Sequence, residues 1–178
     1  MHFSAQPTHL EGDKIRLIPL SEDHFEALYA VAADPLLWEQ HPNPNRYQRT
    51  DFEIYFKGAL ESKGAFLILE KTTNAVVGCS RYYDYNAIHN TILIGYTFVG
   101  RAYWGSGYNR QLKKIMLGYI FQYVATVFFH IGAQNFRSQK AISKLGAEKI
   151  NEIEVAYFGE PEKINFVYAF QRHQLAAL

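Results

Sequence analysis

Between Gly95 and Arg110 the chain reads G-Y-T-F-V-G-R-A-Y-W-G-S-G-Y-N-R. An apolar run over 91–99 meets two glycines one residue apart. A helical pattern opens at once, with Leu112, Ile115, Met116, Tyr119, Ile120 and Tyr123 on one face. Such a succession of strand, glycine turn and helix demands an α/β chain with a helix N-terminus delivered to the end of a strand. The first helical turn has backbone N–H groups without partners and a partial positive charge, so it is an anion site. Glycines let a phosphate approach the backbone closely. No G-K-[ST] follows, so this is not a Walker loop, and the six-residue dinucleotide fingerprint is absent too. Taken alone, the two glycines are equally well a tight connection.

The rest of the chain supplies the frame. Residues 13–20 alternate as a first strand. Ser21 is placed to cap a helix carrying Phe25, Leu28, Tyr29 and Ala32, which Asp34-Pro35 breaks. Residues 38–49 read as a loop, and Thr50 with Glu53 reads as a capping box for a second helix that Lys63-Gly64 ends. Apolar runs at 65–70, 75–83 and 91–99 read as consecutive antiparallel strands. Beyond the long helix come a strand at 126–132, a helix capped by Asn135 and ended by Gly146, and strands at 148–158 and 162–170. This predicts one α/β domain over 1–178 with a mixed sheet of about seven strands, residues 1–10 forming a disordered or peripheral arm. At 178 residues and 48% hydrophobic composition such a chain can bury a real core.

Eighteen basic against seventeen acidic residues leave a net charge of +1, so no basic surplus points to nucleic acid. The single cysteine, Cys79, cannot form an internal disulfide, and no Cys/His spacing reads as a metal site. With neither a signal peptide nor a bilayer-length apolar stretch visible, the expected setting is the cytoplasm, without membrane attachment.

The glycine segment resembles the acetyl-CoA motif of the GNAT superfamily, in its ribosomal-protein alanine N-acetyltransferase branch, which looks like G-Y-x-x-x-x-x-Y-W-G-K-G-Y-A-T-E-A. Gly95, Tyr96, Tyr103, Trp104, Gly105, Gly107 and Tyr108 match in register. Downstream, Asn135, Arg137, Ser138, Lys144, Leu145 and Gly146 match N-x-R-S-x-x-x-x-x-K-L-G-F. The resemblance implies a mostly antiparallel sheet splayed between the strands at 91–99 and 126–132. Acetyl-CoA would be held by Phe98, Val99, Trp104, Gly105, Ser106, Gly107, Tyr108, Asn109, Arg110, Asn135 and Ser138, with backbone N–H groups near Thr97 to Val99 beside the acetyl group. The branch's A-T-E-A is here Asn109, Arg110, Gln111 and Leu112, and its final Phe is Ala147. Ile142 stands where many members carry a tyrosine acid.

Acetyl transfer needs an amine free of its proton, an oxyanion site and an acid for the departing thiolate. By resemblance Ser138 serves the leaving group. For the base, His130 is the leading candidate, with Asp84, His89 and Glu154 behind it. An α-amine, about a tenth neutral at pH 7 against roughly one lysine in a few thousand, could manage with a water relay. Trp38, His41, Tyr83 and Asp84 are expected at the acceptor site, with Tyr47, Tyr82 and Tyr85 as further lining. The acceptor is a small-molecule amine or a protein N-terminus. A homodimer remains open, and the alternative function is a catalytically silent CoA- or ligand-binding module.

Overall fold

The computed structural model describes residues 3–156 and 158–178; the expected arm's first two residues and residue 157 of the expected strand at 148–158 lie outside them. Eight strands, β1 (Leu10–Glu11), β2 (Ile15–Pro19), β3 (Ala65–Glu70), β4 (Val76–Asn86), β5 (Thr91–Val99), β6 (Thr126–Gly132), β7 (Glu148–Val155) and β8 (Lys163–Gln171), form one sheet in the order β1-β2-β3-β4-β5-β6-β8-β7. The eighth strand is the two-residue β1, which pairs Leu10 with Leu17. It was too short to show as alternation. The segment before it is tied down: Gln6 donates to the Ala65 carbonyl at 2.6 Å, and Phe3 packs on Tyr85 and Tyr123.

Among the described residues four α-helices flank the sheet: α1 (Phe25–Ala32), α2 (Arg49–Glu61), α3 (Tyr108–Ile120) and α4 (Phe136–Ser143). α2 departs from expectation. Gln48, not Thr50, precedes it, and no side chain caps it. Glu53 turns to the Arg49 guanidinium at 3.5 Å instead of reaching back to the backbone. Asn135 caps α4 as expected, accepting from the Ser138 N–H at 3.1 Å.

Alternation along the strands sends side chains to two cores. Ile92 and Ile94 join Leu112, Met116, Leu117 and Ile120 of α3 on one face; Leu67, Cys79 and Phe98 join Leu28, Trp38, Phe52 and Tyr55 on the other. Among the described residues no helix is long and apolar enough to cross a membrane.

All neighbouring strands run antiparallel except β5 and β6, which α3 connects and which therefore run parallel. They pair only from Thr91–Leu93 to Thr126–Phe128. Beyond Leu93 no ladder joins them, which is the expected splay.

A register shift between Cys79 and Arg81 marks a bulge on β5, where Tyr96 and Thr97 face the single Ser80; Tyr96 has a φ of 49°, rare for a bulky residue. Two contacts hold it. Tyr55 donates its hydroxyl to the Tyr96 carbonyl at 2.7 Å, and the buried Arg81 guanidinium lies 3.3 Å from the Tyr96 ring centroid.

Just past the bulge, β4 and β5 approach so closely at Gly78 that a Cβ there would stand 2.0 Å from the Phe98 carbonyl oxygen. Gly78→Ala is expected to destabilise the fold by about 2 kcal/mol or more, because backbone must move. A lowered urea midpoint at unchanged m-value checks this.

Candidate active site

A cavity of about 590 Å3 occupies the splay, a size typical of small-ligand sites. β5 lines it from Ile94 to Val99 and β6 from Phe129 to Gly132. α3 and its preceding turn close one end, α4 the side, and the 37–46 loop the far end.

The turn end is built as an anion site. Gly107 sits at the helix N-cap with φ 86° and Gly105 has φ 73°, so both use backbone conformations that suit glycine. No side chain caps α3, which leaves the first-turn N–H groups pointing outward. Lys14, the residue before β2, donates its Nζ to the Ser106 carbonyl at 2.8 Å and adds a cation beside the turn. Gln111 fixes that geometry by accepting from the backbone N–H groups of Lys14 and Ile15 at 2.8 and 3.1 Å. Trp104 donates its indole N–H to the Val99 carbonyl at 2.7 Å, and the Arg137 guanidinium covers its ring at 3.9 Å. Turn, strand end and α4 are thereby joined.

Of the residues the sequence assigns to the acetyl-CoA site, Phe98, Val99, Trp104, Gly105, Gly107, Tyr108, Asn109, Arg110, Asn135 and Ser138 line this cavity, and Ser106 does not. Ser106 instead donates its hydroxyl to the Tyr103 carbonyl at 2.7 Å, shaping the turn from behind. Ile142, at the position of the missing tyrosine, also lines the wall.

At the far end Trp38, His41 and Tyr83 line the cavity; Asp84 is exposed and stands outside it. Asp84 still acts on the site through charge. Burial lowers the His130 pKa below its ordinary value, and the Asp84 carboxylate partly opposes that. His130 is accordingly neutral at pH 7, the form a base requires. His89 and Glu154 are exposed and away from the cavity. Tyr82 is buried with its hydroxyl on the Met116 carbonyl at 2.6 Å, so it serves packing. Burial pushes the Cys79 thiol up to about 11, which makes it a poor nucleophile.

His41 is held as part of the wall. Its pKa is driven well down by burial and then by the neighbouring Arg46 charge. His41 Nε2 lies 3.2 Å from the Arg46 guanidinium, and its Nδ1 meets both the Asn43 N–H at 3.0 Å and the Asn43 carbonyl at 3.2 Å. Arg46 is the hub of this end. It is buried, ion-pairs with the equally buried Glu160, and lies over the rings of Trp38, Tyr55 and Tyr96 at 4.9–5.8 Å. Arg46 and Glu160 thus pin the 38–48 loop to the β7–β8 turn. A pairing across 114 residues leaves no local trace in the sequence.

Lys113 was also overlooked, although it falls on the buried face of α3 with Met116 and Leu117. It lines the cavity and donates its Nζ to Thr97 Oγ1 at 2.7 Å, which in turn meets Ser80 Oγ at 2.7 Å. Burial alone lowers its pKa to about 7.

Residues 14–148 match the family model described as Acetyltransferase (GNAT) domain. No curated protein matches the chain. Among solved structures, a GCN5-related N-acetyltransferase from Brucella melitensis superposes with a TM-score of 0.79 at 17% identity, covering 98% of this chain and 85% of its own. The Microcin C7 self-immunity acetyltransferase MccE, in complex with acetyl-CoA and AMP, gives 0.75 at 12% identity over 94% and 98%. Spermidine N-acetyltransferase from Vibrio cholerae, in complex with CoA and spermine, gives 0.68 at 13% identity over 93% and 99%. At such identities the likeness establishes the fold, and the family model establishes the membership. With its glycine turn, splayed β5 and cavity on those elements, the chain belongs to the GNAT acetyltransferase family.

Proposed function

We propose that this protein is an acetyl-CoA-dependent N-acetyltransferase that moves the acetyl group to a primary amine by direct attack in a ternary complex. One observation carries the reading: a single cavity runs from an uncapped helix N-terminus, past the free edge of β5, to an aromatic end with a neutral histidine. Bound MccE and spermidine N-acetyltransferase ligands support it at the level of the shared fold.

Acetyl-CoA would supply the activated acyl group. Its pyrophosphate would meet the N–H groups of Tyr108, Asn109 and Arg110, with Lys14 adding charge at the turn. The β5 edge from Thr97 to Val99, unpaired with β6, offers N–H donors for the acyl oxygen. Ser138, in the first turn of α4 and on the cavity wall, would offer its hydroxyl to the sulfur. His130 would take the amine proton, its basicity supported by Asp84. The acceptor would enter between Trp38, Tyr83 and the 38–48 loop. The sole carboxylate on the cavity wall among the described residues is Glu160, and Arg46 already neutralises it. This end is therefore better suited to a small monoamine or a protein N-terminus than to a polycation.

CoA or acetyl-CoA at a hundredfold excess over its Kd is expected to stabilise the fold by about 2.7 kcal/mol, read as a raised melting temperature. Gly107→Asp should abolish that shift while the variant remains folded, since its carboxylate faces the pyrophosphate. A folded wild type that ignores millimolar CoA would refute the proposal. A panel of arylamines, peptide N-termini and polyamines, scored by CoA release, then separates an enzyme from a silent binding module.

Ser138→Ala is expected to lower turnover by about 10², the low end for a lost hydrogen bond to developing charge on the departing sulfur, with CoA affinity nearly unchanged. Should Ser138 serve only the helix end, turnover stays intact and the cost is about 1 kcal/mol of stability. Kinetics and thermal melts on the one variant decide.

A further inference from the structure

Lys113 poses an energetic problem that the reading above leaves unsolved. Its ammonium is buried to 3% exposure in the core face of α3, and no ion pair to it is found among the described residues. Its recorded contacts are the neutral Thr97 hydroxyl, itself bonded to Ser80, and the Phe129 ring, whose centroid lies 5.7 Å from Nζ. Burying a cation without a counter-charge costs several kcal/mol, and an apolar side chain of similar volume would pack there more favourably. The neighbours on α3, Leu112, Met116 and Leu117, show what the site otherwise accepts.

Position suggests what offsets the cost. β5 runs toward the glycine turn and α3 runs back from it, so Lys113 stands across from Thr97 on the splayed stretch of β5. A ligand whose phosphates rest at Gly105–Tyr108 and whose arm follows the β5 edge must pass this point. Thr97 opens the segment whose N–H groups face the acyl end. Lys113 Nζ has three donors, and Thr97 accepts one.

Resting on the acetyl-CoA reading, we propose that Lys113 is a catalytic residue that binds the sulfur of the bound thioester and supplies its proton. The acceptor nitrogen forms the C–N bond, the C–S bond breaks, and its electron pair goes to sulfur. One proton passes from Lys113 Nζ to that sulfur. The acceptor nitrogen, which must lose a proton to become an amide, returns one to Lys113 by way of His130 or water. Ser138 has a different share in this step. A serine hydroxyl can hydrogen-bond a thiolate, but it is a much weaker acid than a thiol, so it is a poor net proton source. An ammonium with its pKa brought to about 7 lies below the ordinary thiol value near 8.5 and gives its proton downhill.

The test needs no acceptor. Binding of CoA and of desulfo-CoA, which lacks the sulfur, is measured by calorimetry on the wild type and on Lys113→Met. The wild type is expected to prefer CoA by about tenfold, the scale of one charge-assisted hydrogen bond, and the variant to bind both ligands within about twofold. Lys113→Met should melt no lower than the wild type, because a buried charge is replaced by an apolar chain of like length. Lys113→Gln serves the same comparison should the methionine variant fail to fold. A preference for CoA that survives in the folded variant, or is absent from the wild type, overturns the proposal. A wild type that binds neither ligand removes the acetyl-CoA reading itself and this role with it.

Discussion

The site exists because β5 and β6 stop pairing after Leu93, and the rest of the molecule keeps that gap open. Parallel strands in a mixed sheet would ordinarily continue their ladder, since each unpaired backbone group left in a dry interior is costly. Here Tyr96 takes a left-handed conformation at a bulge and turns β5 away from its neighbour. The Tyr55 hydroxyl and the Arg81 guanidinium clamp that conformation from the helix face opposite α3. The strain is therefore met by buried contacts, and the reward is a strand edge with N–H groups free for a ligand. Geometry at this one residue links α2, β4 and β5 to the chemistry.

Around the gap, charge is arranged in two ways. At the turn, Lys14, Arg110, Arg137 and Lys144 surround or line an end where helix α3 already presents positive charge. At the far end, charge is cancelled: Arg46 meets Glu160, and His41 is kept neutral by burial and by Arg46. An anionic, phosphate-bearing ligand and a small amine would thus find opposite ends of the cavity without competing. Lys113, buried between those ends beneath Thr97, is the one cation in the middle of the path recorded without an acidic partner among the described residues.

Local chemistry was legible in the sequence, and long-range pairing was not. Gly105, Gly107 and the Asn135 cap announce themselves because turns and helix ends are settled within four or five residues. The order of the strands followed from apolar runs and the breaks between them. In contrast, the Arg46–Glu160 pair spans 114 residues and the Lys14–Ser106 bond 92, and neither charge looks special beside its neighbours. Tyr96 carries no signal at all, since a tyrosine with positive φ is set by tertiary contacts and not by its own preference. Asp84, expected at the acceptor site, stands outside the cavity because it falls at a register break in β4 with a φ of 50°, which no local pattern announces. Lys113 was readable by helical spacing, yet an apolar stripe around it drew the eye to packing.

Hydrogen exchange with and without CoA tests the central claim most directly, because it reports where on the backbone the ligand sits. The account predicts slowed exchange at the amides of 107–110 and of 97–99 on addition of CoA, with the sheet edge at β7 unchanged. Protection confined to other segments, or no protection at the α3 N-terminus in a protein that demonstrably binds CoA, would contradict it.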